Sequence, residues 1–270
     1  MQIKQFNPDM NKLKYGKLLF LRVLVFSFYL IVSSQIFAQD PRQIMQQGNE
    51  AYSKGDYQAA VDAYNSILDA GLQSADLYYN LGNAYYRMDE IGLSVLNYER
   101  ALRLKPNFRD AQQNLDFVNS KTEDEIASLP QLFLVQWART VVNWFAPTGW
   151  LVVLLILVAL LGTVVVLFFV GSDYAWRKRS LVCGLILCVL LILATACAIS
   201  SHVRYNRHDH AVVTSPMIVV KSSPEEHSVD KMILHEGTKV AIEETLGTWH
   251  KIQIADGNTG WIQSDEVTII

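Results

Sequence analysis

The stretch ADLYYNLGNAYYRMDEIGLSVLNYERALRLKPNF, residues 75–108, decides how the first third of the chain folds, because the 34 residues before it carry the same pattern. Shifted by that length, Gly48 falls on Gly82, Asn49 on Asn83, Tyr52 on Tyr86, Tyr64 on Tyr98 and Leu68 on Leu102. A unit so short cannot bury a hydrophobic face alone, so copies stack and share one core. Outward from this repeat the composition changes. Of 270 residues 51% are hydrophobic and only 18% charged, more apolar than a soluble protein. The net charge of −3 hides a segregation: 1–38 and 130–210 carry +4 each, 39–129 carries −6 and 211–270 carries −5. The acidic blocks repel phosphate and no block interleaves basic and aromatic residues, so no nucleic-acid partner is expected. Cys183, Cys188 and Cys197 share one apolar run, which suits neither a disulfide framework nor a zinc site.

The copy at 75–108 resembles the tetratricopeptide repeat family at Tyr78, Leu81, Gly82, Tyr85, Ala101 and Pro106. The copy at 41–74 keeps Gly48, Gly55-Asp56-Tyr57, Ala60 and Tyr64 and lacks the final Pro. Gly48 and Gly82 read as allowing the two helices of a repeat to touch, Ala60 and Ser94 as room at the reciprocal contact, and Pro106 as a stop. Residues 107–120 continue as a capping helix with Ala111, Leu115 and Val118 on one face, which closes a repeat domain over 39–121. The resemblance implies a peptide-binding groove lined by Asn49, Tyr52, Tyr79, Asn83, Tyr86 and Arg87. Tyr57, Tyr64, Tyr85 and Tyr98 read as packing between helices, and packing stays the alternative for Tyr79 and Tyr86. Members of the family that clamp a carboxylate tail have Lys or Arg at three groove positions. This chain has Met45, Asp110 and Asn114 there, so such a clamp is not expected.

Trp150–Val170 and Leu181–Ser200 contain no charge and, at about 1.5 Å per residue, each reaches about 30 Å, the thickness of a bilayer's hydrocarbon core. They read as transmembrane helices over 150–170 and 180–200, joined by a loop at 171–179 whose Arg177-Lys178-Arg179 marks it as cytoplasmic. A basic stretch, a short apolar run after Arg22 and Ala38 before the break read as a signal peptide over 1–38, with an uncleaved anchor as the alternative and Met10 as a second candidate start. An exported N-terminal block leaves both hydrophilic lobes outside the cytosol. Residues 122–149 read as a solvated acidic linker, Thr122–Ser128, followed by an interfacial helix. Its narrow polar stripe is Gln136, Arg139, Thr140 and Asn143, and Trp137, Trp144 and Trp150 lie near the headgroups. Pro147 either turns the chain into the bilayer or kinks a continuous helix. Gly184 with Cys188, and Ala194 with Ala198, are small residues four apart, read as packing on the chain's own first span, with a partner helix as the alternative.

From Ala211 onward short β-branched runs alternate with turns, and six strands in about 60 residues suggest an SH3-like barrel. Asp256-Gly257, Gly237 and Gly247 supply hairpin turns. This 211–270 block is similar to bacterial SH3 domains at Val220–Pro224, Leu234–Thr238, Trp249, Asp256-Gly257 and Gly260-Trp261-Ile262. Trp261 reads as core and Trp249 as ligand-facing. The resemblance implies recognition of envelope proteins or cell-wall peptides.

His202, His208, Asp209 and His210 form the one cluster with metal-ligand chemistry, but no third ligand has a fixed spacing, so headgroup contact is the expected role. With no phosphate loop, nucleophile elbow or zinc-protease helix, no enzyme, metal or cofactor is expected. The fold class is a multidomain membrane protein with an α-helical repeat domain, a two-helix transmembrane hairpin and an all-β SH3-like barrel. This order resembles the BatE family of the Bacteroides-type aerotolerance operon. The resemblance implies a two-pass inner-membrane scaffold with periplasmic domains. Its partners would be envelope proteins, among them von Willebrand-factor-A membrane proteins and a MoxR-type ATPase. Its contacts would include membrane lipid and, for a wall-sensing alternative, peptidoglycan.

Overall fold

The computed structural model describes residues 40–122, 124, 132–170, 173–207 and 209–270, so the signal peptide and the choice of start lie outside the described residues. Five helices come first: α1 (Pro41–Ser53), α2 (Tyr57–Asp69), α3 (Ala75–Arg87), α4 (Ile91–Leu104) and α5 (Arg109–Asn119). Side chains cap three of them: Asp40 accepts from the Arg42 N–H at 3.0 Å, and Asp56 from the Ala59 N–H and Ser74 from the Leu77 N–H, each at 3.1 Å. Between helices the chain turns through positive φ at Gly55 (83°) and, 34 residues on, at Asp89 (65°), one of the few residue types that tolerates it. Tyr64, Leu77, Leu81, Val95 and Tyr98 fill the stack, and α5 closes it with Ala111, Leu115 and Val118 buried.

Then follow α6 (Phe133–Val142), α7 (Pro147–Val170) and α8 (Tyr174–Asn206). Pro147 stands at the first position of α7, where its missing N–H costs nothing, so α6 and α7 are separate helices rather than one kinked one. Trp150 does not lie exposed beside Trp137 and Trp144. It is buried under α6 and donates its indole N–H to the Val142 carbonyl at 3.0 Å. The expected nine-residue loop is also shorter, since α8 starts at Tyr174 and takes Arg177-Lys178-Arg179 into its first turns. No residue from Tyr174 to Arg179 breaks a helix, and Asp173 stands at the cap position. Both α7 and α8 are apolar and long enough to cross a membrane. Trp150, Leu154, Leu157, Leu161, Val164 and Phe168 of α7, and Gly184, Leu187, Leu191, Ala194, Ala198 and Ser201 of α8, are among the less exposed positions. They recur at alternating steps of three and four, the seam of a helical pair. Cys188 is exposed to the side, outside this seam, and a methyl added to Gly184 would meet Val164 at an ordinary 3.7 Å. The helices therefore pack without a glycine-tight crossing.

Seven strands, not six, complete the chain: β1 (His210–Val213), β2 (Met217–Lys221), β3 (Asp230–His235), β4 (Lys239–Leu246), β5 (Trp249–Gln253), β6 (Thr259–Gln263) and β7 (Val267–Ile269). In β3 only Ile233 is β-branched, which hid that strand. Their order is β3-β2-β6-β5-β4-β1-β7, with every pairing antiparallel. Val213, Ile218, Leu234, Val240, Ile252, Ile262 and Val267, one from each strand, join one core cluster. A single sheet does this only by curling around its own inner face, as an SH3-like domain does. Gly260 sits where a Cβ would lie 2.3 Å from Val220, so the sheet closes over a residue without a side chain. Between buried Gly260 and Ile262, Trp261 points to the other face and is only partly covered, so it is not a core residue. The period of two along a strand decides this against its size.

Candidate functional site

Inside the repeats each helix pair is locked by one tyrosine and one glycine. A Cβ on Gly48 would lie 2.4 Å from the Tyr64 ring, and one on Gly82 would lie 2.7 Å from the Tyr98 ring. The Tyr64 hydroxyl donates to Asn49 Oδ1 at 2.8 Å, and Asn80 Nδ2 donates to the same oxygen at 2.9 Å. Thirty-four residues on, the Tyr98 hydroxyl donates to Asn83 Oδ1 at 2.6 Å and Asn114 Nδ2 donates to it at 2.8 Å. Burial pushes both phenols up to about 12, so they remain donors at any physiological pH.

This geometry sorts the six groove candidates. Asn49 and Asn83 spend their carbonyl oxygens on the repeat's own tyrosines and on the next repeat or cap. Tyr79 is half-buried between Tyr98 and Phe108, with ring centroids 6.0 and 5.0 Å away. Arg87 is exposed, and Tyr52 and Tyr86 are half-buried like Tyr79. Tyr52 meets Tyr57 edge-on at 5.3 Å, Arg87 lies 5.0 Å over the Tyr57 ring, and Tyr86 meets Phe117 at 5.8 Å with Lys121 beside both. Burial raises the Tyr52 hydroxyl above its ordinary value, against the pull of Arg87. The result is an aromatic surface with two cations on it, suited to an extended polypeptide. Phe117 and Lys121 belong to this surface, and the family pattern did not include them.

A second set of contacts joins the repeats to the sheet. Gly92 of α4 donates its N–H to Glu236 Oε2 at 3.0 Å, and a Cβ there would lie 2.9 Å from the Val213 carbonyl. Arg100 and Arg103 each donate at 2.7 Å to the carbonyls of Ile269 and Ile270, and Lys239 pairs with Glu99 at 2.7 Å. Asp124, expected in a solvated linker, instead accepts from the His235 N–H (2.7 Å) and the Thr238 hydroxyl (2.6 Å), with the His235 ring at 2.8 Å. Burial pushes the Asp124 carboxyl up, but these hydrogen bonds outweigh it and hold the group below its ordinary value. Because α4 covers its outer face, β1 buries Ala211, Val212 and Val213 in succession. That unalternated apolar run was the sequence signal for a strand covered on both sides.

The third feature is a cleft in the sheet. The strands β2 and β6 pair at Lys221 with Trp261 alone, and where they part a cavity of about 240 Å³ opens. Met217, Val219, Trp249, Gln263, Glu226 and Glu266 line it. Trp249 is thus partly exposed on a cavity wall. Glu266 accepts from the Gln263 N–H at 3.0 Å, and burial raises its carboxyl above the ordinary value against that bond. Among the described residues no group of three His, Cys, Asp or Glu side chains converges as a metal site, and His208 lies outside those residues.

Residues 75–108 match the tetratricopeptide repeat family and residues 216–268 match the bacterial SH3 domain family. The chain is 28% identical over 109 residues to a tetratricopeptide repeat and J domain-containing co-chaperone of Cryptococcus neoformans var. grubii. That likeness covers 39% of this chain and 21% of the co-chaperone, so the chain spans about a fifth of the relative's length. A tetratricopeptide repeat and a bacterial SH3 domain are therefore present, and both are modules of binding and protein–protein interaction rather than of catalysis.

Proposed function

We propose that this chain is a non-catalytic adaptor of a bacterial inner membrane. It would cross the membrane twice, after export directed by the signal peptide at 1–38, and hold partner proteins on the periplasmic side through its repeat domain (39–121) and SH3 domain (211–270). An envelope complex of the BatE type, with von Willebrand-factor-A membrane proteins and a MoxR-type ATPase, serving oxidative-stress tolerance or protein assembly, is the setting that the module order supports. One observation carries the reading: α4 fastens the SH3 domain to the back of the second repeat, which keeps two binding modules together and leaves Arg87 exposed with Tyr52 and Tyr86 half-buried at the surface. A co-chaperone among similar proteins agrees with a polypeptide as ligand. The aromatic and cationic groove residues would give an extended segment both contact area and register.

Photo-crosslinking residues placed at Tyr86 and Arg87 of the full chain in native membranes test this. Protein adducts are expected at both positions and none at Ser66, which is exposed outside the proposed groove. Binding of peptidoglycan without any protein adduct would establish the second reading, a wall sensor working through Trp249, which the open cleft beside that residue supports. Alkaline phosphatase fused after Ile270 is expected to be active. A silent fusion refutes the periplasmic assignment.

A further inference from the structure

The cleft beside Trp249 has a chemistry that narrows its ligand. Met217, Ile218 and Val219 give it apolar lining and Trp249 an indole. Its charges are unequal. The Lys221 ammonium is taken by Asp230 at 2.6 Å, whereas Glu226 has no hydrogen-bond or ion-pair partner among the described residues. The surrounding domain reinforces this, with nine carboxylates against four lysines over 211–270. Three of those lysines are ion-paired, Lys221 with Asp230, Lys239 with Glu99 and Lys251 with Glu243, and Lys231 donates to the Thr259 carbonyl. Uncompensated negative charge therefore remains at the cleft's mouth, beside an aromatic face that attracts cations by its quadrupole.

The walls also fix the shape of an occupant. The β2 residues at the cleft, Met217, Ile218 and Val219, pair with β3 on one side and with no strand on the other, and an extended chain is the shape that pairs with such an edge. Alternate side chains of such a segment point to opposite sides, and one of them would lie between Trp249 and Glu226.

We propose that this cleft binds an extended, basic polypeptide segment, seating a lysine or arginine side chain between the Trp249 ring and the Glu226 carboxylate. The proposal rests on Trp249 being ligand-facing and adds the charge of the ligand. The full chain in detergent micelles is titrated, by fluorescence anisotropy at low salt, into labelled peptides of sequence Ala-Val-Lys-Val-Ala and Ala-Val-norleucine-Val-Ala, which differ only in the ammonium. The lysine peptide is expected to bind about tenfold more tightly, the size of one cation–aromatic contact plus one ion pair. Glu226→Gln is expected to erase that preference and leave the norleucine peptide's binding unchanged, and Trp249→Ala to weaken both. Should Trp249→Ala fail to fold, Glu226→Gln on its exposed loop decides. Equal binding of the two peptides, with both still sensitive to Trp249→Ala, overturns the basic segment and keeps Trp249 as a ligand contact. Binding indifferent to Trp249→Ala removes both ideas. A soluble muropeptide that displaces the lysine peptide at a tenth of its concentration assigns the cleft to the wall and overturns the polypeptide occupant.

Discussion

The two repeats are the same inside and different outside. Within each, a glycine lies under a tyrosine ring whose hydroxyl is held by an asparagine, and every one of these residues recurs 34 positions later. On the back of the second helix the copies diverge: Gln58, Ser66 and Asp69 of α2 become Gly92, Arg100 and Arg103 of α4. The first three are exposed, while their counterparts bind Glu236, Ile269 and Ile270 of the sheet domain. The comparison teaches that identity between copies reports the packing within a repeat, and that a break in identity reports where a neighbour docks.

The largest test of the shared interior is Tyr64→Ala beside Tyr98→Ala. Each removes a fully buried aromatic ring and is expected to cost about 3–5 kcal/mol in urea unfolding of the solubilised chain. A cost below about 1 kcal/mol at either site would break the equivalence of the two copies.

The divergent exterior is tested by exchanging its residues. Gly92→Gln forces a side chain against the Val213 carbonyl and Glu236, and is expected to cost about 1–3 kcal/mol and to expose the amides of β1 to hydrogen exchange. The reverse change, Gln58→Gly, loses only helix propensity, about 0.5–1 kcal/mol, and is expected to leave β1 protected. Equal exchange in both variants would show that the sheet does not depend on α4.

Asp124 sharpens the same contrast through pH. Its carboxyl is held below the ordinary value in the folded chain, so its contribution is complete above the unfolded value, about 4, and is lost as pH falls through the folded one. Asp124→Asn is expected to cost about 1.5–3 kcal/mol at neutral pH and to flatten the acid limb of the stability curve. An unchanged acid limb would remove Asp124 from the interface.

The smallest effects belong to the hydroxyls. Tyr64→Phe and Tyr98→Phe each leave the asparagine oxygen with its second donor and are expected to cost about 0.5–1.5 kcal/mol, equally in the two repeats.

Much of this architecture is legible in the order of residues alone. The 34-residue period announces the stacked helices, since a unit that recurs with its small and aromatic residues in place packs the same way twice. Uncharged runs at 150–170 and 181–200 announce α7 and α8, and turn glycines announce the hairpins of the sheet. Helix ends are less legible. Tyr174–Arg179 reads as loop because its charges mark a boundary of lipid, and lipid boundaries are not helix boundaries. Asp124 reads as solvated because an acidic run looks alike whether its partner is water or a histidine more than a hundred residues away. Trp261 reads as core from its size, and strand alternation turns it outward.

By itself, then, the sequence determined every feature that arises between near neighbours: the repeat, the glycines where its helices touch, the two apolar helices and the class of the final sheet. Periodicity and local sterics act over a few residues and leave their mark in the order of letters. Only the tertiary structure decided that α4 carries the sheet domain, that Asn49 and Asn83 are committed to the repeat's interior, and that β2 and β6 part beside Trp249 to open a cleft. Those outcomes depend on which distant surfaces are complementary in shape and charge, and no local pattern records a partner that folding alone brings near.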